Sequence, residues 1–364
     1  RSLTGTGGYV KVGRKGNAKW NFSETFTWSS PGFDLNDMGY MKETDYLMNE
    51  TEIMYRQTDI WKIFRYNAFT LSQKNMWNYG GTPFSNNASL RWQSMTMNRY
   101  EWDVKETFAW NWLDSRLLRG GPDVRFGSYF LTSAKFNTDK AKRMMFMLKY
   151  EGDHNFEGNR FNTISPSLTF RLGNHVYLSG QLDYAWNTDE MQYVATTSPL
   201  SSSSLAPYYY VMGHMDQKTY GLTLKLQVNV TPDISIQFYG APFTSIAKYD
   251  DFKLAADTKS HTFENRFQRI DPDQLTYADG VYTIGEGAGQ MPFRNPDFRF
   301  NEFRSNLVAR WEYLPGSTLY FVWEHRMSNR DNWYSSGWGS NLDRMWGLPA
   351  TNTFMIKMNY WFNL

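Results

Sequence analysis

Cysteine is absent from the 364 residues, so neither a disulfide framework nor a thiolate metal site can be built. Long apolar runs are missing too. Nothing approaches the roughly 18 to 20 consecutive apolar residues that a transmembrane helix requires. Neither sign of charge is in excess: Lys and Arg number 38 against 36 Asp and Glu, a formal net charge of +2. A nucleic-acid binder would instead carry a basic face or tract, so no nucleic-acid partner is expected. Histidine is scarce, and His154, His175, His214, His261 and His325 are too scattered for metal-ligand spacing with a third ligand. No metal, cofactor or catalytic set is expected from these residues. The opening RSLTGTGGYV has no initiator Met, charged leader or apolar leader segment, so an export signal is expected to have been removed or to lie outside this sequence.

Aromatic residues are abundant. Trp 15, Tyr 24 and Phe 26 make 18% of the chain, beside a mean hydropathy of −0.61 that would suit a very soluble protein. A water-soluble globule has little use for so many rings, and a helical membrane protein would be far more apolar. An antiparallel barrel with apolar side chains facing out, polar ones facing in and aromatic girdles at both interfaces produces both values together. The alternation is visible in TYGLTLKLQVNVTPDISIQFYG, where Tyr220, Leu222, Leu224, Leu226, Val228 and Val230 alternate with Gly221, Thr223, Lys225, Gln227 and Asn229. Thr231-Pro232-Asp233 makes the turn, and Ile234, Ile236 and Phe238 resume the apolar face. Leu168 to Trp186 repeats the pattern around Gly173-Asn174-His175, and Leu307 to Trp323 repeats it around Leu314-Pro315-Gly316-Ser317.

Extended over the whole chain, residues 1–364, the pattern predicts an all-β fold. It is read as one transmembrane, antiparallel up-and-down β-barrel domain of about 15 or 16 visible strands, most near the roughly 9 to 11 residues that cross a bilayer. Turns near Lys15-Gly16, Asp59, Arg99, Asp139, Asn174, Pro232 and Pro315 are short, while Gln192–Gln217, Asp250–Arg299 and Arg330–Thr351 are long. That asymmetry matches short periplasmic turns and long extracellular loops, which places the protein in the bacterial outer membrane. Bacterial barrels normally have even strand numbers, so an odd count means either that the pattern misses one strand or, the expectation favoured here, that this is the C-terminal part of a longer chain and of a larger barrel.

The ending NTFMIKMNYWFNL puts Phe354, Ile356, Met358, Tyr360, Phe362 and Leu364 on one face, with Lys357, Asn359 and Asn363 on the other. Lys357, Tyr360, Phe362 and Leu364 resemble the C-terminal assembly signal of Gram-negative outer-membrane barrels, which implies handling by the barrel assembly machinery. Asn359 stands where Gly is commonest, and Leu364 replaces the usual Phe. WSSPGFDLNDMGYM (Trp28–Met41), LLRGGPDVR with the later NTDKAK (Leu117–Lys142), and NPDFRFNEFRSNLVARWEYLPGSTLYFVW with the terminal NTFMIKMNYWF carry a wider likeness. Together they resemble a family of large outer-membrane barrels of uncharacterised function. Its longer members carry an N-terminal domain resembling family 9 carbohydrate-binding modules. The resemblance implies contact with outer-membrane lipid and lipopolysaccharide, association with other outer-membrane proteins, and carbohydrate association elsewhere in the longer chain. It carries no catalytic motif.

Three groups of residues are candidates for function. Arg171, Asp183, Lys225, Arg310, Glu312, Glu324 and Arg326 fall on the predicted lumen face, where they either line a water-filled pore or pair across strands to fill the interior. Trp333, Tyr334, Trp338 and Trp346 lie in the last long loop and suit sugar stacking, a protein contact or the upper aromatic girdle. His214 and Asp216 in GHMD resemble a catalytic dyad but have no identifiable nucleophile. Asp250–Asp257 and Asp271–Gln274 lack calcium-loop spacing, and Ser201–Ser204 reads as a flexible loop tip. Pro31-Gly32 with Asp34, Asn36 and Asp37 reads as an ordered outer loop. The leading expectation is a non-enzymatic envelope protein that handles glycans or serves as a subunit of a larger outer-membrane assembly. A porin for small solutes is the second, and a barrel-embedded hydrolase the third.

Overall fold

The computed structural model describes residues 4–34, 41, 43–110, 112–200, 207–332 and 338–362. The chain runs through β1 (Gly7–Arg14), β2 (Trp20–Ser29), β3 (Tyr46–Gln57), β4 (Phe64–Trp77), β5 (Pro83–Thr96) and β6 (Glu101–Trp110). A small hairpin, β7 (Trp112–Asp114) with β8 (Val124–Phe126), precedes β9 (Tyr129–Asn137), β10 (Met144–Asn155) and β11 (Arg160–Leu172). Three long strands follow: β12 (Val176–Thr197), β13 (Tyr209–Asn229) and β14 (Ile234–Ala255). The next connection holds β15 (Phe267–Arg269), β16 (Leu275–Ala278), β17 (Val281–Ile284) and β18 (Met291–Arg294). The chain then forms β19 (Phe298–Leu314), β20 (Ser317–Asp331), the helix α1 (Trp338–Trp346) and β21 (Thr351–Asn359).

One 16-stranded antiparallel sheet contains nearly all of this. Its long strands pair strictly in chain order, from β1 to β21, and β15 adds to the top of β14. Consecutive pairing needs only local hairpin closure, which is why the sequence pattern anticipated it. Among the described residues the sheet is an open arc: β1 pairs with β2 alone and β21 with β20 alone. The expected closure of the last strand onto an earlier partner is therefore not made by these residues.

Cross-strand register sorts the side chains into two faces. Leu178, Leu226, Phe238, Leu307, Trp323 and Phe354 form one unbroken apolar row over six strands. The row beside it, one residue along, is Ser179, Lys225, Tyr239, Asn306, Glu324 and Thr353. The usual relation of burial to polarity is inverted. Leu71 is 55% exposed and its neighbour Thr70 is 7%; Leu90 is 57% exposed and Ser89 is 5%. The concave face of the curved sheet crowds Ser, Thr and Asn, while the convex face presents its large apolar side chains outward.

Among the described residues, seven hairpin turns lie at one end of the sheet, including Pro315-Gly316, where Gly316 takes φ +79° after the fixed φ of Pro315. The longer connections lie at the other, although β4–β5 and β10–β11 are joined there by only a few residues. At that end β12, β13 and β14, of 22, 21 and 22 residues, project well beyond their neighbours. At ~3.3 Å per residue each is roughly 70 Å long, about twice what a bilayer crossing needs. Both faces of this projection are covered. Val211, Met215, Tyr249 and Leu254 pack with Ile284 and Phe293 of the β16–β18 sheet, whereas Met191 and Met212 pack with Leu118, Val124 and Phe267. The sequence pattern predicts shorter strands here, because two-sided burial replaces the clean alternation by which their lower halves are recognised.

Candidate functional site

The long-connection end gathers most of the side chains with chemical potential. Glu157, in the β10–β11 turn, receives the guanidinium of Arg266 in a two-pronged contact, Nη1–Oε2 2.9 Å and Nη2–Oε1 2.7 Å. Arg266 is 1% exposed and Glu157 13%. Oε2 of Glu157 also accepts from the Gly127 amide at 3.0 Å. Thr258 Oγ1 donates to the Asp123 carbonyl at 2.7 Å, and Lys259 meets the Asp123 carboxylate at 2.7 Å. One carboxylate thus ties together three connections that are far apart in sequence.

Beside this knot, the upper parts of β12 and β13 hold a charged chain. His214 Nδ1 lies 3.1 Å from Glu190 Oε1, and its Nε2 lies 3.6 Å from Asp216 Oδ2. Thr188 Oγ1 donates to Asp216 Oδ1 at 2.9 Å. Burial pulls the imidazole pKa down, but Glu190, Asp216 and Asp250 outweigh it, and the net shift is upward. The order is wrong for nucleophile activation, because the hydroxyl is bonded to the carboxylate and not to the imidazole. Burial raises the pKa of Asp189, against the Met191 amide that it accepts from, and burial likewise raises that of Asp297.

Between the upper ends of β3, β4 and β5 and the β7 segment lies a recess of ≈ 870 Å³. Tyr46, Phe84 and Trp112 line it together with Lys74, Asp45 and Asp114. Rings beside mixed charges and amides fit a polar, ring-shaped ligand. Among the described residues no group of three or more His, Asp or Glu is placed to hold a metal.

The chain matches, over residues 2–364, the model of a family described as a domain of unknown function, DUF5916. It belongs to the DUF5916 family. Neither a curated protein nor a solved structure matches the chain.

In this DUF5916 chain the seven predicted lumen residues all fall at polar-face positions of the sheet register. Several pair there: Arg310 donates to Glu312 at 2.5 Å, and Arg326 reaches Glu302 at 3.0 Å beside Arg304 at 2.8 Å. Asp183 accepts from Ser165 Oγ at 2.6 Å and from Gln181 at 2.9 Å, and Arg171 donates to the Lys140 carbonyl at 3.3 Å. Lys225 stands opposite Ser179 and Tyr239, and Glu324 opposite Asn306 and Thr353.

Of the four loop aromatics, Trp333 and Tyr334 lie outside the described residues. Trp338 begins α1. Trp346 ends it, 4.9 Å from the Phe303 ring on the apolar face. Lys357 lies on β21, Tyr360 and Phe362 stack just beyond it at 6.2 Å, and Leu364 lies outside the described residues. Asp34 is described, but Asn36, Asp37 and Ser201–Ser204 are not. Asp271 caps a short 3-10 turn, its side chain accepting from the Asp273 amide at 3.1 Å.

Sequence reasoning missed Glu157, Arg266, Glu190 and the recess. Glu157 and Arg266 lie in connecting segments without periodicity, 109 residues apart, and Glu190 lies in the upper part of β12, where two-sided burial hides the alternation.

Proposed function

We propose that this chain is a membrane-embedded wall of a bacterial outer-membrane protein, a barrel or part of a larger one, whose loop-bearing end faces outward. The observation that carries this reading is the exposed apolar convex face over a concave face of buried hydroxyls and amides. In water such a surface would drive aggregation; in lipid it is the ground state. The rings near the two rims, Trp20 with Tyr55 at 4.9 Å below and Tyr184 with Tyr220 at 4.9 Å above, suit interfacial girdles.

The role supported best is non-enzymatic: a subunit of an envelope assembly with a loop recess suited to glycans. The sequence resemblance to barrels whose longer members carry a domain like carbohydrate-binding modules agrees with this, and lipopolysaccharide, the barrel assembly machinery and neighbouring outer-membrane proteins are the partners it implies. A porin is the second reading, favoured by charges of both signs on the concave face. Purification of the full-length protein from native membranes, followed by mass measurement and planar-bilayer recording, tests the choice. The expected outcome is extraction by detergent only, with stoichiometric partners and no steady conductance. Steady channels from pure protein would move the assignment to a porin, and solubility without detergent would remove the membrane reading.

A further inference from the structure

The apolar belt is interrupted by a carboxylate and a group of amides on β2–β5. On β2 to β5 its middle is occupied by Glu24, Asn49, Thr51, Gln73, Asn75 and Asn86. Register places Glu24 opposite Thr51 and Thr51 opposite Gln73; the adjoining row is Phe26, Asn49, Asn75 and Asn86. These positions share the face of Phe22, Ile53, Leu71 and Leu90, all exposed. Trp20 and Trp28 stand four residues to either side of Glu24 on β2, about 13 Å each way at ~3.3 Å per residue. Glu24 therefore sits at mid-belt, where its carboxylate accepts from the Asn49 amide and, at 2.6 Å, from Thr51 Oγ1. A second such pair follows on β6 and β9, where Thr132 Oγ1 donates to Glu106 at 2.6 Å. The row from Leu178 to Phe354 holds no such group; the next row of that face ends in the smaller set Ser305, His325 and Asn352, which carries no carboxylate.

Hydrocarbon offers nothing to a carboxylate or an amide, so a polar island at this depth is selected only if something other than lipid covers it. The island's composition indicates what. The stretches Trp20–Trp28, Leu47–Tyr55, Phe69–Trp77 and Asn86–Trp92 put no Lys or Arg on this face, so no cation competes for Glu24. Each amide of Gln73, Asn75 and Asn86 holds both donors and an acceptor. Such a surface is complementary to itself: a two-fold axis sets amide against amide and an amide against the Glu24 carboxylate.

The geometry points to a second copy of this chain docked side by side through the convex face of β2–β5, within the membrane. This rests on the membrane reading above.

Residues 1–364 have no cysteine, so Gln73→Cys and, as control, Leu224→Cys, placed in a full-length protein with any cysteine outside them replaced by serine, can be oxidised with copper phenanthroline in native membranes. Gln73→Cys is expected to give mostly a disulfide-linked homodimer and Leu224→Cys a monomer. The mass in mild detergent is expected to halve in the variant Asn49→Leu, Gln73→Leu, Asn75→Leu, which keeps every polar-face residue. A Gln73→Cys chain that stays monomeric, with its thiol as accessible to lipid-borne labels as that of Leu224→Cys, would overturn the dimer and leave the membrane reading standing. A disulfide to a different protein would overturn it too. Both thiols reacting with water-soluble maleimide in detergent-free solution would instead bring down the membrane reading itself.

Discussion

At the scale of single residues, Glu157 is the position on which the long-connection end depends. It accepts from Arg266 and from the Gly127 amide, and little of it is exposed. Removing one member of a buried charge pair leaves the other uncompensated, at a cost of about 3 to 5 kcal/mol. Arg266→Met is therefore expected to loosen the knot locally without unfolding the sheet. Hydrogen exchange at Gly127 and Arg125 should accelerate strongly, while exchange within β13 stays as it was. The nearby titrating groups give a pH dependence of definite sign. The folded pKa of His214 is raised, so its stabilisation is fully present below the unfolded value of about 6.5 and is lost as pH rises through the folded value. Asp189 and Asp297 are raised by burial and act in the same direction, from about 3.9 upward, because ionising them in place is unfavourable. Exchange at the β12–β13 tip, corrected for intrinsic rates, should increase with pH, and His214→Gln should flatten the part of the curve above about pH 6.

The strands themselves are legible because their side chains alternate. Leu224 and Lys225 are adjacent on β13 and lie on opposite faces of the sheet, and the proposal makes them respond differently. Leu224→Arg puts a charge on the convex face and is expected to cost about 2 to 4 kcal/mol of folding stability in lipid vesicles. Lys225→Gln, on the concave face, should change it by less than about 0.5 kcal/mol. Equal effects from the two substitutions would mean that the faces are not so divided. The hairpin turns were equally readable: Pro232 and Pro315-Gly316 restrict the backbone locally, and each turn falls where the strand pattern breaks. The upper halves of β12–β14 were not, since Met191, Met212 and Val211 are buried by partners from other connections. Nor was α1, whose nine residues include Gly339 and two aromatic ends and whose position depends on Phe303 across the chain.

For the whole molecule, the inverted arrangement of polar and apolar side chains is the property from which the rest follows. In this sheet of 16 strands the large apolar residues lie outward and the opposite face is filled by hydroxyls and amides, the arrangement on which the membrane proposal rests. Brominated acyl chains in reconstituted vesicles should quench much of the tryptophan emission, since Trp20, Trp102 and Trp311 lie exposed on the convex face. Emission untouched by the brominated lipid would place those rings in water. The proposal assigns the polar interruption at Glu24 and Gln73 on β2–β5 to a protein neighbour, and the apolar row from Leu178 to Phe354 to lipid.

Alternation and turn chemistry determined the all-β class, the antiparallel pairing in chain order and the polar or apolar face of the residues in the alternating strands, Arg171 and Asp183 included. These are properties of neighbours in sequence, and a period of two needs no tertiary information to be read. The tertiary structure alone decided which distant connections meet. Arg266 finds Glu157, His214 finds Glu190, and Gln73 falls beside Thr51 because strand register brings together residues that no local pattern links. Contacts of that kind are fixed by the packing of whole elements, whose energies become defined only when the sheet has formed.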